Sequence, residues 1–230
     1  MTSTPLPRTL IFDLDGTLID SIPDVCASVN EALAEDGRRG LSIAEAKSLV
    51  GFGAHVLVEK ALELTGAPAP ERAAEFTRRF LSIYSANPSR HSTVFPGVTE
   101  TLDMFAHAGV RMGICTNKPV ATTFPVLEAL GLKNYFATVI CGDAVPHRKP
   151  DGRHIHQTLE KMNADADTCV MVGDSENDIH AAIDAGVPSV CVTFGYCHLP
   201  FAELGADELI DHFSHLPGAL ERIVKARSAA

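Results

Sequence analysis

The chain carries, close to its N-terminus, the stretch Leu10-Ile-Phe-Asp13-Leu-Asp15-Gly16-Thr17-Leu18-Ile19-Asp20-Ser21. The apolar run from Thr9 to Phe12 predicts a buried strand. Asp13 and Asp15 follow it and share one face if the backbone stays extended between them. Ligands of open α/β sheets bind at the carboxyl ends of the strands. Two carboxylates there can hold a hard cation such as Mg²⁺, or act as nucleophile and general acid/base.

Length, composition and net charge limit the classes of protein to which the chain can belong. The chain has 230 residues, of which 46% are hydrophobic, which is enough for one or two domains with a substantial core. The formal net charge is −10 and no basic stripe occurs, so we expect neither a nucleic acid nor an anionic membrane as partner. An acidic protein that binds an anion needs local positive charge from a cation, a lysine or helix N-termini.

The cysteines and the N-terminal segment indicate the compartment. Six cysteines occur without any C-x-x-C pair, and we expect them to be small buried hydrophobes in a reducing environment. The first residues lack the basic and apolar segments of a signal peptide. No run approaches the roughly 18 apolar residues of a membrane span. We therefore expect a cytoplasmic protein without a membrane partner.

A helical segment follows the opening stretch. Apolar residues recur at helical spacing in four segments, and Ser42-x-x-Glu45 is a capping box that predicts the start of the second helix. No strand-like alternation interrupts this region, and Phe95-Pro96-Gly97 closes it. We predict a small helical bundle over residues 22–90, inserted after the first strand.

The rest of the chain alternates between strand and helix patterns. Strands are predicted at residues 110–115, 138–141, 169–172, 189–192 and 209–210, with helices between them and a final helix over 216–224 before a loose tail. This alternation predicts an α/β core with a Rossmann-like, doubly wound parallel sheet. The core domain would comprise residues 1–21 and 91–230.

Polar residues stand where several of these core segments end. Thr116 and Asn117 follow a strand, where a helix cap and an anion site are both typical and do not exclude each other. Lys149 precedes a proline that bars helix there, and is either a solvated loop residue or a fixed inward cation. Asp174 lies at a strand end like Asp13, and Asp178 begins the next helix, where acids also occur simply as helix-terminal residues.

In this order the segments resemble the motifs of the haloacid dehalogenase-like phosphohydrolases. The resemblance rests on DLDGT at 13–17, Thr116, Lys149 and GDSEND at 173–178, and the helical insertion is similar to a type I cap. VGFGAHVLVEKAL at 50–62, CTNKP at 115–119, VGDSEND at 172–178 and FGY at 194–196 look like segments of bacterial phosphoglycolate phosphatases.

The resemblance implies a Mg²⁺-dependent phosphomonoester hydrolase that converts 2-phosphoglycolate and water to glycolate and phosphate. Asp13 would attack phosphorus and form an aspartyl-phosphate, with Asp15 as general acid and base. Mg²⁺ would be bound by the Asp13 carboxylate, the Asp15 carbonyl and Asp174, with Asp178 tuning the site.

The remaining roles are carried over in the same way. The phosphoryl oxygens would be bound by Thr116, Asn117 and Lys149. The cap would close over the site and select the leaving group. Candidates for contacting a small carboxylate there are Gly51, Phe52, Gly53 and His55. The expected partner is a small phosphorylated metabolite, and the expected assembly is a monomer or homodimer.

Other readings of the sequence differ in how well they fit. A cysteine phosphatase needs five residues between its Cys and Arg, whereas six separate Cys141 from Arg148. The histidines at 147, 154 and 156 match no common zinc spacing, and no P-loop motif occurs. Three alternatives stay open: a phosphatase of another small phosphometabolite (sugar phosphate, nucleotide or pyrophosphate), a β-phosphoglucomutase, and a non-catalytic module that binds a metal or phosphometabolite.

Overall fold

The computed structural model describes residues 6–229. Residues 1–5, which open the segment we expect not to be a signal peptide, and Ala230, the last residue of the predicted loose tail, lie outside the described residues. No helix between residues 6 and 229 combines the length and the apolarity needed to cross a bilayer.

The described residues form eight strands and ten α-helices. The strands are β1 (Thr9–Phe12), β2 (Ile19–Asp20), β3 (Thr93–Val94), β4 (Arg111–Thr116), β5 (Thr138–Cys141), β6 (Cys169–Gly173), β7 (Ser189–Val192) and β8 (Glu208–Ile210). The helices are α1 (Ile22–Glu35), α2 (Ile43–Lys47), α3 (Ala54–Thr65), α4 (Pro70–Ala86), α5 (Val98–His107), α6 (Val120–Ala129), α7 (Arg153–Met162), α8 (Glu176–Asp184), α9 (Phe201–Leu204) and α10 (Leu216–Ala229). Six strands pair in parallel in the order β5-β4-β1-β6-β7-β8.

Helices cover both faces of this sheet because successive side chains of a strand point to opposite faces. Leu10 and Phe12 of β1 pack with apolar residues of α5, α6 and α10. Ile11, between them, packs on the other face with residues of α7 and α8. Five of the six cysteines are buried, as expected, whereas Cys197 is half-buried; all six are free. The predicted doubly wound parallel α/β fold is confirmed.

Four helices, α1 to α4, lie between β2 and β3 and have an apolar cluster of their own. Phe76, Phe80 and Tyr84 bury one face of α4 at a spacing of four residues. The predicted capping box is present at the start of α2. The strands β2 and β3 pair antiparallel where the chain enters and leaves this helical segment. The sequence did not indicate them, because two residues are too few to show alternation.

The last helix is longer than expected. The sequence predicted its end at Val224 and a loose tail, which was wrong, because α10 continues to Ala229. The polar residues of this last part lie on the exposed side of the helix. Lys225 pairs with Glu221 one turn earlier, and the Ser228 hydroxyl donates to the Val224 carbonyl at 2.9 Å.

The end of β5 packs directly on the loop that follows β4. The backbone N–H of Gly142 donates to the Lys118 carbonyl at 3.3 Å. A Cβ at residue 142 would lie 2.7 Å from the carbonyl oxygen and 2.9 Å from the Cα of Asn117. These are main-chain atoms, so they cannot rotate away as a side chain would. Glycine at position 142 therefore permits the observed position of the loop from Asn117 to Lys118.

Gly142→Ala is expected to destabilise the protein by about 1–3 kcal/mol, as other overpacked substitutions do. Gly218→Ala is the matched control, because residue 218 lies inside α10 and a Cβ there would meet no atom closer than 3.6 Å. Alanine should stabilise that helix by roughly 0.5–1 kcal/mol. Urea denaturation of the two variants and the wild type measures both changes, and equal stability of Gly142→Ala and wild type would contradict the packing argument.

Candidate active site

Neighbouring strand ends bring three carboxylates together. The pairing of β1 with β6 aligns Phe12 with Val172, so Asp13 and Asp174 leave the sheet side by side. Asp178 follows in the first turn of α8. Each of the three offers a carboxylate oxygen, and these oxygens lie within 4.8 Å of one another. All three residues are buried, with exposed fractions of 8% or less.

The N-terminus of α8 orients Asp178. Ser175 is the N-cap and forms a capping box with Asp178, three residues on. Oδ2 of Asp178 accepts from the backbone N–H groups of Asp174 and Ser175 at 3.2 and 3.1 Å, and from the Ser175 hydroxyl at 2.8 Å. This leaves Oδ1 facing the other charged groups. The acid at this helix start is therefore both a cap residue and part of the charged cluster.

Two glycines and two donors hold Asp174. Its carboxylate accepts from the Thr17 hydroxyl at 3.0 Å and from the backbone N–H of Tyr196 at 2.6 Å. A Cβ at Gly16 or at Gly195 would lie 2.3 Å from an atom of Asp174. Gly16 also has a positive φ of 89°, which favours glycine. The glycine of the Asp-x-Asp-Gly stretch thus allows the close approach of the two strand ends.

Lys149 supplies the cation of the cluster. Its Nζ donates to Oδ1 of Asp13 at 2.7 Å and to Oδ1 of Asp178 at 2.5 Å. Its backbone N–H donates to Nδ1 of the buried His154 at 3.3 Å, and its carbonyl accepts from the Asn117 amide at 2.9 Å. The residue is 3% exposed. The structure therefore agrees with the inward, fixed cation and not with a solvated loop lysine.

The protonation of the cluster reflects burial. Burial raises the pKa of Asp13 to about 6, although Lys149 opposes the shift. Burial, followed by the charges of Asp178 and Asp13, raises the pKa of Asp174 well above its ordinary value. Burial alone would lower the pKa of Lys149, but Asp13 and Asp178 outweigh that effect and raise it. His154 is held neutral, because burial lowers its pKa to about 4.

The three carboxylates fit a divalent cation. One ammonium group cannot neutralise three acids, and burial, together with the charges of the neighbouring acids, raises the pKa of Asp13 and Asp174. Carboxylate oxygens are the ligands of hard divalent cations. Within residues 6–229, this is the one group of three such side chains close enough to hold a metal. The arrangement can therefore bind a dication and, beside it, a phosphate dianion.

Asp15, Thr116 and Asn117 line the same cavity as the three clustered carboxylates. Asp15 points to a different cation: Nζ of Lys118 lies 3.0 and 3.1 Å from its two carboxylate oxygens. Thr116 is the last residue of β4, and α6 begins at Val120 after Pro119 as N-cap. The helix-cap interpretation of Thr116 and Asn117 is therefore wrong.

Asn117 links the core to the segment before α3. Its amide Nδ2 donates to the carbonyls of Gly51 and Lys149, both at 2.9 Å. Its Oδ1 is buried and has no hydrogen-bond partner among the described residues. Both amide protons of the Asn117 side chain are therefore used in hydrogen bonds to main-chain carbonyls.

The four cap candidates separate into two pairs. Gly51 and Gly53 line the cavity between the sheet edge and the helical segment. Phe52 and His55 do not line it. The Phe52 ring packs 5.6 Å from the ring of His198, and His55 is exposed beside Glu59 on the surface of α3.

Two residues that we did not single out also line this cavity. Lys118 follows directly on Asn117, and its Nζ donates to the hydroxyl of Tyr84 at 2.7 Å. Burial alone would lower the pKa of Lys118, but Asp15 and Tyr84 raise it. The only signal in the sequence was the position of Lys118 immediately after two predicted site residues.

Comparison with known proteins places the chain in a family. A family model described as haloacid dehalogenase-like hydrolase matches residues 10–192. A phosphoglycolate phosphatase of Agrobacterium fabrum is 44% identical over 232 residues, covering all of both chains. One of Caulobacter vibrioides is 40% identical and covers 92% of this chain and 90% of that protein.

This chain is also similar to a solved structure over most of its length. The crystal structure of a predicted phosphoglycolate phosphatase from Haemophilus somnus superposes with a TM-score of 0.86 and 31% identity, covering 91% of this chain and 96% of that chain. Its likeness extends over both the sheet and the inserted helices, since so little of either chain is left out. Sequence, fold and the match over residues 10–192 together show that this chain belongs to the haloacid dehalogenase-like hydrolases.

Proposed function

We propose that the protein is a Mg²⁺-dependent phosphatase that hydrolyses 2-phosphoglycolate to glycolate and phosphate. The observation that carries the proposal is the buried group of Asp13, Asp174 and Asp178 around Lys149, at the carboxyl edge of the parallel sheet. The substrate is supported by full-length relatives, named phosphoglycolate phosphatases, that are 44% and 40% identical to this chain.

Asp13 is the nucleophile of the proposed reaction. One of its carboxylate oxygens attacks phosphorus in line, so that a bond from Asp13 to phosphorus forms as the bond to the leaving alkoxide breaks. Water then attacks the aspartyl-phosphate and releases inorganic phosphate. Lys149 contacts Asp13 at 2.7 Å, so its ammonium group is placed to neutralise phosphoryl oxygens during both steps. The Thr116 hydroxyl and the backbone N–H of Asn117 would bind the same oxygens, since both amide protons of the Asn117 side chain already donate to main-chain carbonyls.

Asp15 transfers the protons. It protonates the leaving alkoxide in the first step and takes a proton from the attacking water in the second. Its side chain stands apart from the three acids of the cluster and pairs with Lys118. The two acids of the opening motif therefore have different surroundings, and only Asp13 contacts Lys149.

The carboxylates of Asp13 and Asp174 and the backbone carbonyl of Asp15 would hold the proposed Mg²⁺, with Asp178 beside them. When bound, the ion would supply positive charge that offsets the negative charge of the phosphoryl group. Thr17 and Tyr196 fix the Asp174 carboxylate, and Ser175 fixes that of Asp178. These hydrogen bonds hold the acids in position for the ion.

Residues 22–90 form the cap domain in this proposal, and residues 1–21 and 91–230 form the core domain. The separate apolar cluster of α1 to α4 supports the division. The cap excludes water from the phosphoryl group and limits the size of the leaving group. Among its candidate positions, Gly51 and Gly53 are those at the cavity. The cytoplasmic location and the monomeric or homodimeric state remain predictions.

Asp13→Asn is expected to reduce the turnover number for 2-phosphoglycolate by roughly a thousandfold or more, because the amide is not a nucleophile. The measurement is phosphate release with Mg²⁺ from 2-phosphoglycolate and from a panel containing sugar phosphates, a nucleotide and pyrophosphate. The exposed acid Asp103 offers a matched control, and Asp103→Asn should retain wild-type rates.

Activity on this panel of phosphate compounds distinguishes the proposed function from the three alternatives. Turnover of another ester with little activity on 2-phosphoglycolate would keep the mechanism and reject the substrate. Conversion of β-glucose 1-phosphate to glucose 6-phosphate would identify a β-phosphoglucomutase. Binding of phosphate compounds without any turnover would identify a non-catalytic module.

Asp174→Asn should change the effect of Mg²⁺ on thermal stability. The wild type should melt at a higher temperature in Mg²⁺ than in EDTA, by an amount that corresponds to about 2.7 kcal/mol at a hundredfold excess over the dissociation constant. Asp174→Asn should lose this increase. In EDTA the variant should melt at or above the wild-type temperature, because burial and the neighbouring acids disfavour an ionised Asp174 without a cation.

Differential scanning calorimetry measures the four melting temperatures. Asp143→Asn is the control, since Asp143 is an exposed carboxylate outside the cluster, and its response to Mg²⁺ should match that of the wild type. An unchanged Mg²⁺ effect in Asp174→Asn would contradict the proposed ligand set.

A further inference from the structure

Lys118 is a buried cation that lines the same cavity as Lys149. It is 6% exposed, and its Nζ lies 3.0 and 3.1 Å from the two carboxylate oxygens of Asp15. The hydroxyl of Tyr84, from α4, is 2.7 Å away, and the ammonium group also lies 4.5 Å from the centre of the Tyr84 ring. The steps of the proposed reaction assign no role to Lys118.

Two cations line the cavity in the described part of the chain, Lys149 and Lys118. Lys149 contacts two carboxylates of the three-acid cluster and is committed to the phosphoryl group. Lys118 has one carboxylate partner, Asp15. It is therefore the cation of this cavity that remains for a second negative charge on the substrate.

Apart from Tyr84, the side chains that α1, α3 and α4 present to the cavity are apolar. The helices α3 and α4 present Ala54, Leu57, Phe80 and Leu81 to the cavity, and Val50 lies just before α3. A carboxylate pressed against such side chains would lose its water without gaining a partner. His55, the ionisable cap residue we expected to meet it, does not line the cavity.

The position of Asp15 fixes where that second charge would lie. Asp15 donates its proton to the oxygen that leaves phosphorus, so this oxygen lies within hydrogen-bond reach of Asp15. In glycolate a single methylene group separates that oxygen from the carboxylate. The carboxylate must consequently lie close to Asp15, which is where the Lys118 ammonium group stands.

We propose that Lys118 is the specificity-determining residue that binds the carboxylate of the substrate, and that Tyr84 holds its ammonium group in place. This inference rests on the proposed phosphoglycolate phosphatase function and assigns the recognition of its leaving group. The three N–H donors of Nζ now have three acceptors, the two Asp15 oxygens and the Tyr84 hydroxyl, so a substrate oxygen would take the place of one Asp15 oxygen. Selection of the leaving group then depends on a core residue as well as on the cap.

The test compares two esters that differ in the carboxylate alone, 2-phosphoglycolate and ethyl phosphate. Lys118→Met should lower kcat/KM for 2-phosphoglycolate about a hundredfold more than for ethyl phosphate, chiefly through KM, since a buried polar partner is lost. Any effect of the substitution on Asp15 acts on both esters and cancels in this ratio. Lys161→Met, which removes an exposed lysine of α7, is the control and should leave the ratio unchanged.

Binding gives a second readout that is independent of turnover. 3-Phosphonopropionate and propylphosphonate should compete with p-nitrophenyl phosphate, and the wild type should bind the carboxylate-bearing compound more tightly. Lys118→Met should bind the two about equally. Lys118→Arg, which keeps the charge, should retain part of the preference, and Tyr84→Phe should reduce it severalfold, so the inference stays testable if Lys118→Met does not fold.

The outcomes separate this inference from the proposed function. If the wild type prefers 2-phosphoglycolate and Lys118→Met loses that preference, both are supported. If the wild type prefers it and both Lys118→Met and Lys118→Gln keep the full preference, the role of Lys118 is overturned and the proposed function stands. If the wild type shows no preference for 2-phosphoglycolate over ethyl phosphate, both are overturned.

Discussion

The ion pairs of Lys149 with Asp13 and Asp178 hold the carboxyl edge of the parallel sheet together. Lys149 and Asp13 are 136 positions apart in the chain, and they meet because the sheet order β5-β4-β1-β6 brings their segments to one edge. All three side chains are nearly fully buried. Removing one partner of such a pair typically costs about 3–5 kcal/mol, because the remaining charge stays buried and unpaired. The position of Lys149 and the proposed metal site therefore depend on correct strand order.

Much of this arrangement follows from local patterns in the sequence. The apolar runs before Asp13 and Asp174 predict strands, and the alternation of strands with helices predicts a parallel sheet. Parallel strands have their carboxyl ends at the same edge, so acids that follow two strands are expected to lie near each other. The structure brings Asp13, Asp174 and Asp178 within 4.8 Å as that reasoning requires.

Contacts between distant segments were not accessible in this way. Lys118 and Asp15 are 103 positions apart, and Tyr84 reaches Lys118 because α4 packs against α6. A lysine after an asparagine in a loop has the pattern of a solvated residue, and only tertiary packing buries it. The same reason explains His55, which lies in the expected helix but faces away from the cavity. Helical periodicity distinguishes apolar from polar faces, and it does not identify which polar residue meets a ligand.

The core and the helical segment contribute different physical terms to recognition. The helices provide apolar surface, which excludes water and strengthens every charge interaction inside the cavity. The two cations belong to the core: Lys149 lies beside the acids, and Lys118 lies two residues after Thr116 in the loop after β4. Asn117 donates to the Lys149 carbonyl and so ties the two lysine-bearing loops together. A small substrate with two nearby anionic groups needs two cations at a fixed separation, and loops joined at one edge of the sheet hold that separation.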